Sequence, residues 1–197
     1  MKPFSQACQN NRQPILDQLQ IAFEECQRVL EIGSGTGQHA VFFGREMPHL
    51  FWQTSDQDYY HPGISLWLDE AGLDNVGYPL SLNVSNNTWP DEPFDGVFSA
   101  NTCHIMSWAE VEAMFSGVAR VLNAGGVFCL YGPFNRNGAF TSEGNAAFHQ
   151  SLIARDNKMG VRDDRAVIRL ARENGFEFDH DIAMPANNRL LIFSKAR

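Results

Sequence analysis

Three alternating glycines, Gly33, Gly35 and Gly37, follow directly on the apolar run Val29-Leu30-Glu31-Ile32, and no other stretch of the chain is as specific chemically. A strand that breaks into such a turn can set backbone N–H groups against a nucleotide-like ligand. Glycine accepts positive φ and has no Cβ to shield those groups, and the next helix aims its N-terminus at the same place. Ser34 sits inside the turn. The dinucleotide fingerprint Gly-x-Gly-x-x-Gly needs its third glycine at position 38, which is Gln38 here. Glu31 places a carboxylate at the carboxyl end of the strand, where it repels a pyrophosphate and suits a ligand with an ammonium group. S-adenosyl-L-methionine carries such a group; NAD does not.

Asp56 lies nineteen residues after Gly37, near the spacing of about twenty at which an acid accepts the hydrogens of both ribose hydroxyls. Asp58 is its rival, and either could instead cap the helix that Pro62 opens. Asn83-Val84 follows the third predicted strand, where an amide can donate to and accept from an adenine edge; within the polar turn Asn83 to Asn87 it also reads as loop chemistry alone. The segment Ser99-Ala100-Asn101-Thr102-Cys103-His104 leaves the fourth strand at the edge where open α/β sheets bind ligands. Ala100 and Asn101 then face cofactor and acceptor, and His104 is a candidate general base, against the plainer reading of a structural histidine. Tyr131 closes the fifth strand at the same edge, either to orient an acceptor by its hydroxyl or as a core aromatic. Arg12 is a candidate partner for the cofactor carboxylate, and Arg162 for a carboxylate elsewhere; a solvated helix start and an Asp163 N-cap account for the two segments equally well. The six histidines show no H-x-x-x-H spacing, so no metal is expected.

The elements that must hold these residues alternate. A helix is expected from Pro14 in its first turn, through Ile15, Leu16, Leu19 and Phe23, to about Cys26. Strands follow at Val29–Ile32, His49–Ser55, Gly77–Leu82, Phe94–Ala100 and Val127–Tyr131. The helices between them cover Gln38–Glu46, Pro62–Ala71 with Gly72 as C-cap, and a run opened by the Ser107/Glu110 capping box. Two further helices, Ala146–Ala154 and Asp164–Glu173, precede strands Phe176–Ile182 and Leu190–Ser194. The link Met184–Asn188 is too short for a crossover helix, so this last pair is antiparallel. The expectation is an α/β, Rossmann-like fold, with a mostly parallel seven-stranded sheet, a C-terminal antiparallel hairpin and helices on both faces.

At 197 residues, 44% hydrophobic and 19% charged, the chain suits one globular domain over 1–197, with 1–27 as a helical extension. A net charge of −8 disfavours a large nucleic-acid footprint or an anionic membrane as partner. Cys8, Cys26, Cys103 and Cys129 lack C-x-x-C spacing and read as reduced core thiols; with no apolar leader or long apolar run, a cytoplasmic protein is expected.

The glycine segment resembles motif I of class I methyltransferases. A larger set of segments resembles the methyltransferase-like family catalogued as domain of unknown function 938. The set comprises Asn11-Arg12 with Pro14-Ile15-Leu16, Leu30 to Ala40, Ser55-Asp56, Trp89, Asn101 with His104-Ile105, Tyr131 to Phe134, Gly160 to Asp163, and Met184 to Asn188. Two positions depart from it: Asn83 stands where the family usually has Asp, and Asn145 where Ser is common. The resemblance implies a fold that binds S-adenosyl-L-methionine and brings no substrate with it. Methyltransferases that act on adenine or glutamine amino groups carry Asn/Asp-Pro-Pro-Tyr/Phe after strand four, and this chain does not. The leading expectation is methyl transfer to a small or medium-sized molecule. The alternatives are a non-catalytic module that binds the cofactor or a partner, and an NAD(P) oxidoreductase, which Gln38 and the hairpin disfavour.

Overall fold

The structure, a computed structural model, describes residues 2–86 and 89–197. Helix α1 (Gln6–Ala22) leads into β1 (Arg28–Ile32), α2 (Gln38–Glu46), β2 (Phe51–Asp56), α3 (His61–Ala71) and β3 (Val76–Ser81). Then come β4 (Phe94–Ala100), α4 (Trp108–Val121), β5 (Leu122–Gly132), β6 (Phe134–Asn135), α5 (Glu143–Arg155), β7 (Arg162–Asp163), α6 (Asp164–Glu173), β8 (Phe176–Met184) and β9 (Asn188–Lys195). Seven strands form one sheet in the order β3-β2-β1-β4-β5-β9-β8. Its first five strands are parallel, and β9 runs antiparallel to both β5 and β8. This is the sheet expected from the sequence, terminal hairpin included.

Alternation along each strand sorts side chains into two layers. Val29, Phe98, Cys129 and Tyr131 pack with Ile15 and Leu19 of α1, Phe43 of α2 and Ile64 of α3. Leu30, Val97, Phe128 and Leu130 face the other way, against Val111 and Phe115 of α4 and Val167 of α6. The central strands are thus apolar on both faces, as parallel strands between two helical layers must be. Trp52, Phe98, Phe115 and Phe128 are among the fully buried side chains, each contributing roughly 1.5–3 kcal/mol through burial. The ring of Trp89 crosses α4 at Gly117, where an added Cβ would lie 1.9 Å from the indole.

Local chemistry explains most boundaries. Ser107 and Glu110 form the reciprocal capping box of α4, and Gly72 ends α3 in the left-handed region at φ 57°. The start of α1 departs from expectation: the helix begins at Gln6, capped by the Ser5 side chain, and runs straight through Pro14. Residues 6–13 have no apolar period to announce a helix, yet their partners on the fold hold them in one. A short parallel pair, β6 with β7, was also absent from the sequence reading. Among the described residues, no helix is long and apolar enough to cross a membrane.

Candidate functional site

The carboxyl ends of β1, β2, β4 and β5 open on a cavity of about 770 Å³. Its walls come from the glycine turn, the N-terminal residues of α1, the loop after β4, α5 and the turn between β8 and β9.

Gly33, Gly35 and Gly37 adopt φ of 73°, 58° and 89°. The turn's N–H groups, however, do not wait for a ligand. Those of Gly33 and Ser34 both donate to the Ser55 carbonyl (3.0 and 2.9 Å), and that of Gly35 donates to Asp56 Oδ2 (2.7 Å). The last turn of β2 lies beside β1 in parallel register and takes these donors. What the turn offers the cavity is space, since a Cβ on Gly35 would meet nothing within 4 Å. Gly37 serves instead as the residue before α2, where an added Cβ would lie 3.2 Å from the Ile64 backbone, and does not line the cavity.

Glu31 requires a correction. It shares its face of β1 with Val29, so its side chain enters the layer beside Trp52 and is 2% exposed, outside the cavity wall. Its Oε2 accepts from the Ser34 hydroxyl (2.8 Å) and the Trp52 indole N–H (3.1 Å). Burial pushes its carboxyl up to about 7, against the opposing pull of those two donors and helped by the Asp56 charge. Glu31 therefore braces the turn from behind and does not stand ready to pair with an ammonium group.

Asp56 does line the cavity. Oδ2 holds the Gly35 N–H and Oδ1 the Gln57 N–H (2.8 Å), which fixes the carboxylate while leaving each oxygen a further lone pair. Burial raises its pKa despite both donors. Asp58 is solvent-facing, 3.9 Å from His61, and neither acid caps α3. Asn83 and Val84 stand away from the cavity: Asn83 Oδ1 accepts from the Ser85 N–H (3.0 Å) in an Asx turn, and Val84 packs on the core. Asn87 lies outside the described residues. Gln57 and Tyr60 occupy that end of the cavity instead.

Arg12 also lies elsewhere, its guanidinium 4.5 Å over the Phe42 ring in a separate small groove. One helical residue earlier, Asn11 turns inward, and its Oδ1 takes the His39 Nε2–H at 2.7 Å. An amide oxygen only accepts, so His39 carries its proton on Nε2. His39 is 5% exposed, stacks on Phe43, and is held by burial at a pKa of about 4.

The remaining candidates gather opposite the glycine turn. Asn101 holds φ 58° and donates its N–H to the Tyr131 carbonyl (2.9 Å). Asn101 Oδ1 and His104 Nδ1 lie 3.8 and 3.9 Å from the place a Cβ of Gly132 would take, so both flank one corner. His104 is 6% exposed, meets Phe148 edge to face at 5.1 Å, and is lowered to about 4 by burial first and then by the charges of Arg162 and Arg155. Tyr131 is buried and its phenol pKa raised by that burial, against an opposing pull from the nearby Asn11 and Asn188 side chains. Ala100 lines the same space.

Several lining residues were not expected at the site from the sequence, among them Ser5, Cys8, His39, Asn145 and Phe148. For Asn11 and Asn188 the signal was an amide at a helix start or turn, which local conformation alone explains. Cys8 is half-buried in the wall, whereas Cys26, Cys103 and Cys129 are buried. Burial lifts the Cys26 and Cys103 thiols to about 12, which leaves them inert.

The same architecture recurs in solved methyltransferases. An O-methyltransferase family protein from Burkholderia thailandensis superposes with a TM-score of 0.83 at 16% identity, covering 93% of this chain and 56% of that one. A putative O-methyltransferase from Nostoc punctiforme gives 0.84 at 15% identity, covering 95% and 56%. Human N-acetylserotonin methyltransferase, solved with S-adenosylmethionine, gives 0.77 at 10% identity, covering 94% and 55%. The chain thus has the class I methyltransferase fold and spans a little over half the length of these proteins. Residues 2–195 match the family described as protein of unknown function DUF938, and the chain belongs to that family.

Proposed function

We propose that the chain is a methyltransferase that binds S-adenosyl-L-methionine and acts on a small or medium-sized acceptor. One observation carries this reading: the anchored Asp56 carboxylate and the open space at Gly35 share a single cavity with Asn101, His104 and Tyr131. The residues fit the cofactor. Asp56 has free lone pairs for two ribose hydroxyls, Gly35 leaves the room a Cβ would fill, and about 770 Å³ lies in the range of ligand sites of roughly 300–1,000 Å³. The fold shared with a methyltransferase solved with that cofactor supports the same reading.

When bound, S-adenosyl-L-methionine would supply an activated methyl group, whose carbon an acceptor lone pair attacks as the electrons of the breaking C–S bond return to sulfur. The chain's own task is placement, the larger part of catalysis when the donor is already activated. Asn101, held in a left-handed conformation by its bond to Tyr131, sits between the donor and acceptor regions. His104 is neutral at physiological pH and can take a hydrogen bond from an acceptor hydroxyl as its proton departs. Calorimetric titration of the folded chain with S-adenosyl-L-methionine and S-adenosylhomocysteine tests the reading: both bind, and Asp56→Ala weakens the binding by on the order of a hundredfold. Absence of heat with either compound on folded protein overturns it. A second reading, binding without turnover, is favoured by the weak proton affinity of His104; it gains if both compounds bind and no cell extract supplies an acceptor.

A further inference from the structure

The acceptor half of the cavity has an unusual charge inventory. Among the described residues no Lys or Arg lines the cavity, and its two lining acids are Asp56 beside the glycine turn and Glu110 beyond the β4 exit. The charges of Arg162 and Arg155 reach His104 and lower its pKa, but neither residue lines the cavity, and Arg162 gives its Nε and Nη2 donors to the backbone. Its Nε reaches the Cys103 carbonyl (3.3 Å) and its Nη2 the carbonyls of Met106 and Lys158. A carboxylate or phosphate on the acceptor would therefore meet no cationic side chain on the cavity wall, which carries Asp56 and Glu110 instead.

One neutral polar group is set in a fixed sense. Asn145 is 8% exposed, and its amide N–H groups donate to Thr141 Oγ1 (2.9 Å) and the Asn187 carbonyl (3.1 Å). Both donors are spent, and among the described residues no protein donor reaches its Oδ1, so this wall residue offers an acceptor. Tyr131 lines the same cavity, and its hydroxyl can both donate and accept. Phe148, Met106 and Ile105 supply apolar surface around them.

We propose that the acceptor is an uncharged hydroxyl compound with an apolar body, oriented by a polar hydrogen given to Asn145 Oδ1, and that the site rejects anionic acceptors. This rests on the methyltransferase reading for the role of the compound, though not for its binding. The test uses two matched pairs, methyl 3,4-dihydroxybenzoate with its free acid and methyl 4-hydroxycyclohexanecarboxylate with its free acid. Each is titrated into the full chain at pH 7.5, with and without S-adenosylhomocysteine. At least one ester is expected to bind more tightly than its acid by on the order of tenfold or more. Asn145→Leu should weaken that ester about fivefold or more. Ile105→Arg, at a 45% exposed position on the cavity wall, should narrow the ester-to-acid ratio while leaving the fold intact. Acids that bind as well as their esters, or no binding by any of the four compounds, overturn the proposal. Separately, failure of S-adenosylhomocysteine to bind while an ester binds overturns the methyltransferase reading and leaves the acceptor chemistry standing.

Discussion

Glu31→Gln separates a brace from a ligand contact, and its effect can be worked out from the structure. The wild-type carboxyl is raised from an ordinary value of 4.5 to about 7, chiefly by burial. A folded-state pKa above the unfolded one means that the native chain holds the proton more tightly. The resulting stability is fully present below pH 4.5 and is lost as pH rises through about 7. The shift corresponds to about 3 kcal/mol, the cost of carrying the buried charge at pH 8. Glutamine keeps a carbonyl oxygen for the Ser34 hydroxyl and the Trp52 indole and never ionises. Urea unfolding of both proteins across pH 4.5 to 8 should show nearly equal stability at the acid end and a variant about 3 kcal/mol more stable at the alkaline end. Titrating groups that do not feel the Glu31 charge contribute equally to both curves and cancel, which leaves Glu31 and its coupling to Asp56 and Cys8. Because Glu31 does not line the cavity, affinity for S-adenosylhomocysteine should change by less than about threefold. A stability difference that is flat with pH, or a tenfold loss of affinity, refutes the argument and restores Glu31 as a ligand for the cofactor's ammonium group.

His39 and His104 run the other way. Each is depressed from 6.5 to about 4, so the unfolded chain binds protons more readily and stability falls as pH drops from 6.5 toward 4, by about 3 kcal/mol for each; replacing either with Gln should flatten that acid limb in urea titrations. For the same reason turnover should show no acid limb near pH 6.5, and a bell centred there would mean that His104 is not the group that receives the proton. Asp56→Asn keeps one acceptor oxygen and should weaken S-adenosylhomocysteine by roughly tenfold, while Asp56→Ala should cost on the order of a hundredfold, both read by calorimetry on protein with unchanged circular dichroism. Gly117→Ala sets a methyl group 1.9 Å from the Trp89 ring and should cost about 2 kcal/mol in thermal unfolding with cofactor affinity intact.

What the sequence disclosed and what it hid divide along the range of the forces involved. The capping box of α4, the left-handed Gly72 and the short link before β9 are decided within four or five residues, and each was legible. So was the convergence of Gly35, Asp56, Asn101, His104 and Tyr131, because four parallel strands necessarily end at one edge. The direction of Glu31 was not, since the alternation that buries it beside Trp52 matters only once β2 is in place. Nor could the sequence show that the turn's N–H groups are consumed by Ser55 and Asp56.

The N-terminal segment makes the deepest case. Nothing local in residues 6–13 calls for a helix, yet these residues help to wall the cavity. Gln38, at the position where a dinucleotide fold requires its third glycine, accepts the Ser5 N–H with its side-chain oxygen and donates to the Ser5 carbonyl (3.3 Å). The Trp67 indole holds the Pro3 carbonyl at 2.7 Å, and Lys2 reaches Glu70 at 2.6 Å. These contacts set the pitch of α1 so that Asn11 turns inward and Arg12 outward onto Phe42. The residue that departs from the dinucleotide fingerprint is thus also the one that docks the helix across the site. Where a dinucleotide fold uses its third glycine to pack helix closely on strand, this chain has a side chain that ties down the start of α1, the helix whose Asn11 meets His39 at the cavity wall.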